Sequence, residues 1–322
     1  MPICEADPWR KQYFAAVACP KDVYIPTEDE DAYRWHPRFC WVYDKLRIAQ
    51  SQGLECAPHG VPPQRFPVFS KPIYNLKGMG VGARVLRSAA DYELHLTPGH
   101  LWMPVLHGDH VSTDVAVEQG RIAWLRHAHG IALAEGTFDY WVIESGSPAP
   151  AGRAQLERYL RDWVESQLAG YTGMANIETI GGRIIEVHLR FADQWPDLNG
   201  EGWLEAVVGL YSSGAWRRPH TPEREGYSVV LFGPHGPSYR HPPVRLTQRI
   251  AASPQITSLQ ITFHEDRPPA SHAMPAGGFR LAVINCFDLD AGRHAREQLA
   301  EEFRTQVSAA HPAPAAGRRS RG

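Results

Sequence analysis

The sequence predicts an α+β chain rich in antiparallel strand pairs, with a strand-rich C-terminal unit. Three observations predict it. A glycine-rich loop at 77–82 joins two apolar strand patterns instead of opening a helix. Residues 171–190 place β-branched residues on both sides of Gly181 and Gly182, the mark of a hairpin. Beyond residue 196, strand patterns at 227–232, 255–264 and 279–286 dominate up to a closing helix.

Residues 1–39 are rich in aromatics, carry acids at 28–31 and are too short for an independent domain. The small lobe is expected over 40–100. It opens with a helix near 43–51 and continues through a proline-rich link into a strand ending at Lys71. The loop that follows carries Lys77, Gly78, Gly80 and Gly82. Closely spaced glycines let backbone amides approach an anion, and flanking lysines add charge for phosphates. The spacing is neither the Rossmann pattern nor a P-loop, so the segment reads as a mobile flap between strands. The large lobe is expected over 101–195. Its helix at 153–168 has Leu156, Tyr159, Leu160, Trp163, Val164 and Leu168 at helical spacing, a core-facing stripe. A C-terminal unit over 196–306, packed on the large lobe, is expected to end in a helix at 291–303 with Asp290 as N-cap. Residues 307–322 lack periodicity and are expected to be disordered.

The hairpin carries the chemistry. Glu186, His188 and Arg190 alternate with Ile185, Val187 and Leu189, so one face is polar and the other apolar. Loop length decides where Glu178 points. A two-residue loop pairs Glu178 with Ile185 and separates the two glutamates. A three-residue loop over 180–182 pairs Thr179 with Arg183 and puts Glu178 on the face of Glu186, with Gly182 supplying the left-handed conformation; a shared face thus needs an odd-numbered loop or a bulge. Two carboxylates so placed repel unless a cation lies between them or one takes a proton. The pattern suits a divalent metal; a solvated strand face with two acids is the plain alternative. Without metal, at least one acid is expected to show a raised pKa or to turn to solvent.

In order along the chain, the Asp44-Lys45 helix, the Lys71-Pro72 strand with its glycine flap, the strand after Gly108 and the Glu186-Val187-x-x-Arg190 strand resemble the ATP-grasp superfamily. Within it they resemble the biotin-carboxylase-like carboxylate ligases. The resemblance covers about residues 40–195, with a weaker echo to about 305. It implies a two-lobed ATP-grasp fold and an ATP-dependent carboxylate–amine ligase that works through an acyl phosphate and forms ADP and phosphate. Lys45 and Lys71 resemble the phosphate lysines, and Lys77, Gly78, Gly80 and Gly82 the triphosphate flap. Trp102, Met103 and Val105 fall in the adenine hinge, and His110 stands where an acid commonly holds ribose. Glu178 and Glu186 match the acids that bind Mg2+, or Mn2+ in its place. Arg190 matches the arginine that steadies transferring charge. His188 stands where the family commonly has asparagine, as a third metal-site residue.

The resemblance also implies a substantial domain before the Asp44-Lys45 helix, of which only about 40 residues are present. The expected partners are ATP and a small carboxylate; the acceptor site is then built either from the tail unit or with a protein supplying that domain, and a second copy of the chain is a further candidate partner. A catalytically silent fold serving as a nucleotide sensor or partner-binding subunit is the alternative. The retained Lys45, Lys71, Glu178, Glu186 and Arg190 favour catalysis.

Composition narrows the rest. A net charge of −2 over 322 residues offers no bulk attraction to nucleic acid or anionic membranes. Cys4, Cys19, Cys40, Cys56 and Cys286 are scattered without CxxC spacing, as expected for reduced cytoplasmic thiols. His127 and His129 share a strand face, but no third zinc ligand is near in sequence. No run approaches the roughly 18 apolar residues of a membrane span.

Overall fold

The computed structural model describes residues 3–5, 7–76, 80–133, 136–145, 152–218, 223–272 and 275–310. The chain opens with β1 (Ile3–Cys4), α1 (Pro8–Lys11), β2 (Ile25–Pro26), which pairs parallel to β1, and α2 (Asp29–Trp35). Helix α3 (Lys45–Ser51) starts two residues inside the expected stretch. The Asp44 carboxylate accepts from the Leu46 and Arg47 amides at 3.0 and 3.1 Å, satisfying two donors of the first turn.

The small lobe holds β3 (Ala57–Pro58), β4 (Val68–Pro72), β5 (Arg84–Leu86), α4 (Ala89–Leu94) and β6 (His100–Pro104). Its four strands form an antiparallel sheet in the order β3-β6-β4-β5 over a core of Val68, Leu86, Tyr92 and Trp102.

The rest of the chain builds one antiparallel sheet of eight strands. Its elements are β7 (His110–Glu118), β8 (Arg121–Ala132), β9 (Phe138–Ile143), α5 (Arg153–Gln167), β10 (Gly173–Ile180), β11 (Arg183–His188), α6 (Trp203–Ser213), β12 (Gly226–Gly233), α7 (Val244–Ala251), β13 (Ile256–Ile261), β14 (Phe279–Cys286) and α8 (Leu289–Ala310). The spatial order is β11-β10-β7-β8-β9-β12-β14-β13.

Period two divides the chemistry. In β7, Val111, Val115 and Val117 enter the core with Leu156, Leu160, Trp163 and Val164 of α5. His110 and Ser112, of the opposite parity, line the interlobe cavity. The C-terminal strands do the same, with Ala282, Ile284 and Cys286 packing in a core with Ala295, Leu299 and Phe303 of α8.

Three expectations need correction. The sheet does not break at 195/196, because β12 pairs with β9 from Gly226↔Ile143 to Val229↔Tyr140; the C-terminal strands extend the large-lobe sheet. The last helix begins at Leu289, so the Asp288 carboxylate, not Asp290, accepts from the Ala291 amide, at 2.8 Å. That helix runs to Ala310, past the expected onset of disorder at 307, and residues 311–322 lie outside the described residues. Among the described residues no helix is long and apolar enough to cross a membrane.

Candidate nucleotide and metal site

A cavity of about 1140 Å³ lies where the small-lobe sheet faces the large one. Its main wall is the β10–β11 hairpin. Ile180 pairs with Arg183, which leaves a two-residue turn at Gly181 and Gly182, with φ of +55° and +75°. Two successive positive φ values make the tight turn that suits the right-handed strand twist. A Cβ on Gly181 would lie 2.1 Å from the His107 carbonyl oxygen, so that position needs glycine twice over. The turn is thus the two-residue one, and the shared face comes by the other expected route, a bulge. The register slips one residue further on. Thr179 pairs with Ile184 and Glu178 with Glu186, leaving Ile185 as an extra residue in β11. This β-bulge restores the shared face that the two-residue turn alone would have abolished.

The bulge also presents a carbonyl. The Lys71 ammonium donates to the Ile185 oxygen at 2.8 Å, while Lys45 Nζ lies 2.6 Å from Glu186 Oε1. Both lysines are buried. Burial, then the like charge of Lys45, lowers the Lys71 pKa to about 8. His110 Nε2 sits 3.0 Å from Glu178 Oε2. Burial works against ionisation of Glu178, but the hydrogen bond and charge of His110, with His188 and Arg190, outweigh it and bring the pKa to about 2. The expected raised carboxyl does not occur at Glu178. Each glutamate already has cationic neighbours, so the two need neither share a proton nor turn to solvent.

His188 stands between the two acids, with Nε2 3.9 Å from Glu178 Oε1 and 3.8 Å from Glu186 Oε1. Its Nδ1 bonds Asp29 Oδ2 at 2.8 Å, and Arg190 Nη2 donates to the same oxygen at 3.1 Å. Burial disfavours the imidazolium, yet the Asp29 charge raises the His188 pKa overall. With Asp29 on Nδ1 the ring is fixed so that Nε2 faces both acids, a geometry that suits His188 as a positive charge beside them or, once deprotonated, as a ligand. Asp29, held well below the usual carboxylate range despite its burial, also accepts from Tyr43 Oη at 3.2 Å.

The other expected residues divide. Met103, Val105, Gly80 and His110 line the cavity. Gly80 and Gly82 have φ of +61° and +80°, conformations that favour glycine. Lys77 and Gly78 lie outside the described residues. Trp102 turns into the small-lobe core, where its Nε1 donates to the Val61 carbonyl at 2.6 Å, and its backbone pairs with both Ala57 and Ser70. It is not free to hold adenine; the hinge residues that line the cavity are Met103 to Leu106. His110 lines the cavity with its ring on Glu178, because Ile180 and Glu178 register with His110 and Ser112 of β7. His127 is buried on the opposite face, its Nδ1 2.8 Å from Thr113 Oγ1, away from any cluster of three metal-binding side chains among the described residues.

Several cavity residues escaped the sequence reading. Asp29 was visible only as one of a run of acids. Behind the lining residues Asn176 and Ala192, Asp114 Oδ1 accepts from Asn176 Nδ2 at 2.8 Å and from the Ala192 amide at 2.7 Å, and burial raises its pKa to about 6. At the far end, Glu5, Asp7 and Glu28 converge closely enough to hold an ion, but the Arg10 guanidinium already fills their centre and also pairs with Asp193.

No protein-family model and no curated protein sequence matches the chain. Solved structures do. An L-amino acid ligase from Bacillus licheniformis superposes with a TM-score of 0.60 at 12% identity, over 91% of this chain and 82% of that one. An N5-carboxyaminoimidazole ribonucleotide synthetase from Thermus thermophilus gives 0.55 at 15%, over 91% and 84%. A phosphoribosylamine–glycine ligase from Thermotoga maritima gives 0.56 at 16%, over 91% and 85%. The fold is thus the two-lobed ATP-grasp fold. These coverages lend no support to the expected lack of most of an N-terminal domain.

Proposed function

We propose that this chain is an ATP-dependent ligase that joins a carboxylate to an amine, or to a related nucleophile, through an acyl phosphate. The observation that carries the reading is the convergence of Glu178 and Glu186, by way of the Ile185 bulge, with Lys45 and Lys71 on one wall of a deep interlobe cavity. Likeness in fold to proteins described as ligases and synthetases supports it.

In this reading the two lysines exchange their present partners for nucleotide phosphates. Glu178 and Glu186 offer the oxygen donors that Mg2+ prefers, and the neighbours they now hold, Lys45 and His110, are the kind of group a cation would replace. A bound Mg2+ supplies charge neutralisation on the phosphate oxygens. A substrate carboxylate oxygen attacks the γ-phosphorus, the bond to the β,γ-bridging oxygen breaks, and ADP leaves. The amine then attacks the acyl carbon, the carbon–oxygen bond breaks, phosphate leaves, and the amine proton passes to solvent. Arg190 is held by Asp29 and donates to the Phe191 carbonyl at 3.1 Å, which leaves guanidinium N–H groups for developing phosphoryl or acyl charge. The Gly80–Val81 stretch lines the cavity, where water must be excluded to protect the acyl phosphate.

The test is ADP release with magnesium, screened against pools of amino acids and small carboxylates. Substrate-dependent release is expected. Tight ATP binding without turnover on any pool would select the sensor or partner-binding subunit instead.

A further inference from the structure

Charge pairing in the cavity is uneven. Arg10 is matched to four carboxylates, and Arg190 to Asp29. Arg280, on β14, is different. It lines the same cavity, half-buried, and among the described residues its guanidinium has no ion pair and no hydrogen-bond acceptor. Its strongest attraction is to Asp193, whose carboxylate already pairs with Arg10. Burial lowers the Arg280 pKa against that attraction, as for a cation short of a counter-charge.

The direction of Arg280 is itself built. Along β14, Ala282, Ile284 and Cys286 point into the core under α8, while Val283 packs in the cluster with Trp141 and Trp195 on the other face. Strict alternation would send Arg280 under α8 with Ala282. A register shift between Leu231 and Phe232, with Leu231↔Ala282 followed by Phe232↔Arg280, makes Leu281 an extra residue and turns Arg280 to the cavity face, where Phe232 also lies. A bulge that re-aims one side chain, here into a cavity, is a common device beside binding sites.

We propose that Arg280 is a specificity-determining residue that binds a second anionic group of the substrate, a carboxylate or a phosphate, remote from the carboxylate that reacts. The inference rests on the ligase reading for the reacting end but not for its own observation. Trp195 and Phe232, which line the cavity with Arg280, would cover the apolar part of such a substrate. Both anion chemistries suit a guanidinium, which presents paired N–H donors to planar or tetrahedral oxygens.

The test compares butyrate with glutarate and with 4-phosphonobutyrate, by calorimetry on the full chain. Both dianions should bind about tenfold to a hundredfold more tightly than the monoanion, the range of a charge-assisted hydrogen bond. The preferred dianion distinguishes the carboxylate from the phosphate source. In Arg280→Gln the preference should fall to near unity, and Arg280→Lys should restore part of it. Since Arg280 has no ion-pair partner to lose among the described residues, Arg280→Gln should melt as the wild type does. Absence of any dianion preference in the wild type, or its persistence in Arg280→Gln, would overturn the proposal. ATP affinity measured on the same samples separates the two readings: its loss in the wild type removes the ligase, while the dianion ratio still reports on Arg280.

Discussion

The two ends of the cavity solve the same electrostatic problem in opposite ways. At the hairpin end, acids and cations are held on separate elements. Glu178 and Glu186 come from β10 and β11, while Lys45 and Lys71 come from α3 and β4, and each lysine meets the hairpin through a single contact. At the far end Arg10 is locked by Glu5, Asp7, Glu28 and Asp193 together. Contacts made one at a time can be traded for ligand atoms. A guanidinium with four carboxylates around it has nothing to trade and serves as a rivet between the N-terminal segment and the Arg190–Asp193 stretch. Charge density alone therefore does not identify a functional site; exchangeability does.

The contrast can be broken by substitution. Arg10→Gln should have the largest effect on stability, roughly 3 kcal/mol, because it strands the buried Glu5 and leaves three partly buried carboxylates without their counter-charge. A drop in melting temperature of many degrees is expected in a thermal scan, and a value near wild type would deny Arg10 its structural role. Glu178→Gln and Glu186→Gln should instead leave melting little changed while cutting substrate-dependent ADP release on the order of 10²–10³-fold. Equal losses of stability at both ends would erase the distinction.

Lys71→Ala should weaken ATP binding about tenfold with the fold intact. The wild type should show a related pH dependence. With a pKa of about 8 for Lys71, ATP affinity should decline as pH rises through that value, and Lys71→Arg should flatten the decline. Stability runs the other way. The unfolded lysine keeps its proton toward 10.5, so the unfolded state binds more protons between about 8 and 10.5 and stability rises with pH across that window. The smallest effect belongs to the turn. Gly182→Ala has open space around its Cβ and should cost about 1 kcal/mol for its positive φ alone. Gly181→Ala meets the His107 carbonyl and should cost more.

The same contrast explains what the sequence could reveal. Alternation along 183–190 and the glycine pair are local, and they placed the hairpin; the resemblance placed Lys45 and Lys71, which do line the cavity. The bulge at Ile185 is not local. It depends on how β11 meets β10, and the turn residues alone allowed either arrangement. Asp29 lies 159 residues before His188, and nothing in its acidic surroundings marked it as the partner. The Arg10 rivet joins residues up to 183 apart. Trp102 was misplaced because hinge position was inferred from order along the chain, whereas strand parity sends its side chain to the small-lobe core.

The central claim is that Glu178 and Glu186, brought to one face by the bulge, hold a divalent ion that ATP shares. Calorimetric titration of ATP into the protein, with and without Mg2+, tests it most directly, comparing the wild type with the double variant Glu178→Gln, Glu186→Gln. Magnesium should strengthen ATP binding at least about tenfold in the wild type, the scale of one charge-assisted interaction, and have little effect in the double variant. Equal magnesium dependence in both proteins, or none in the wild type, would contradict the claim.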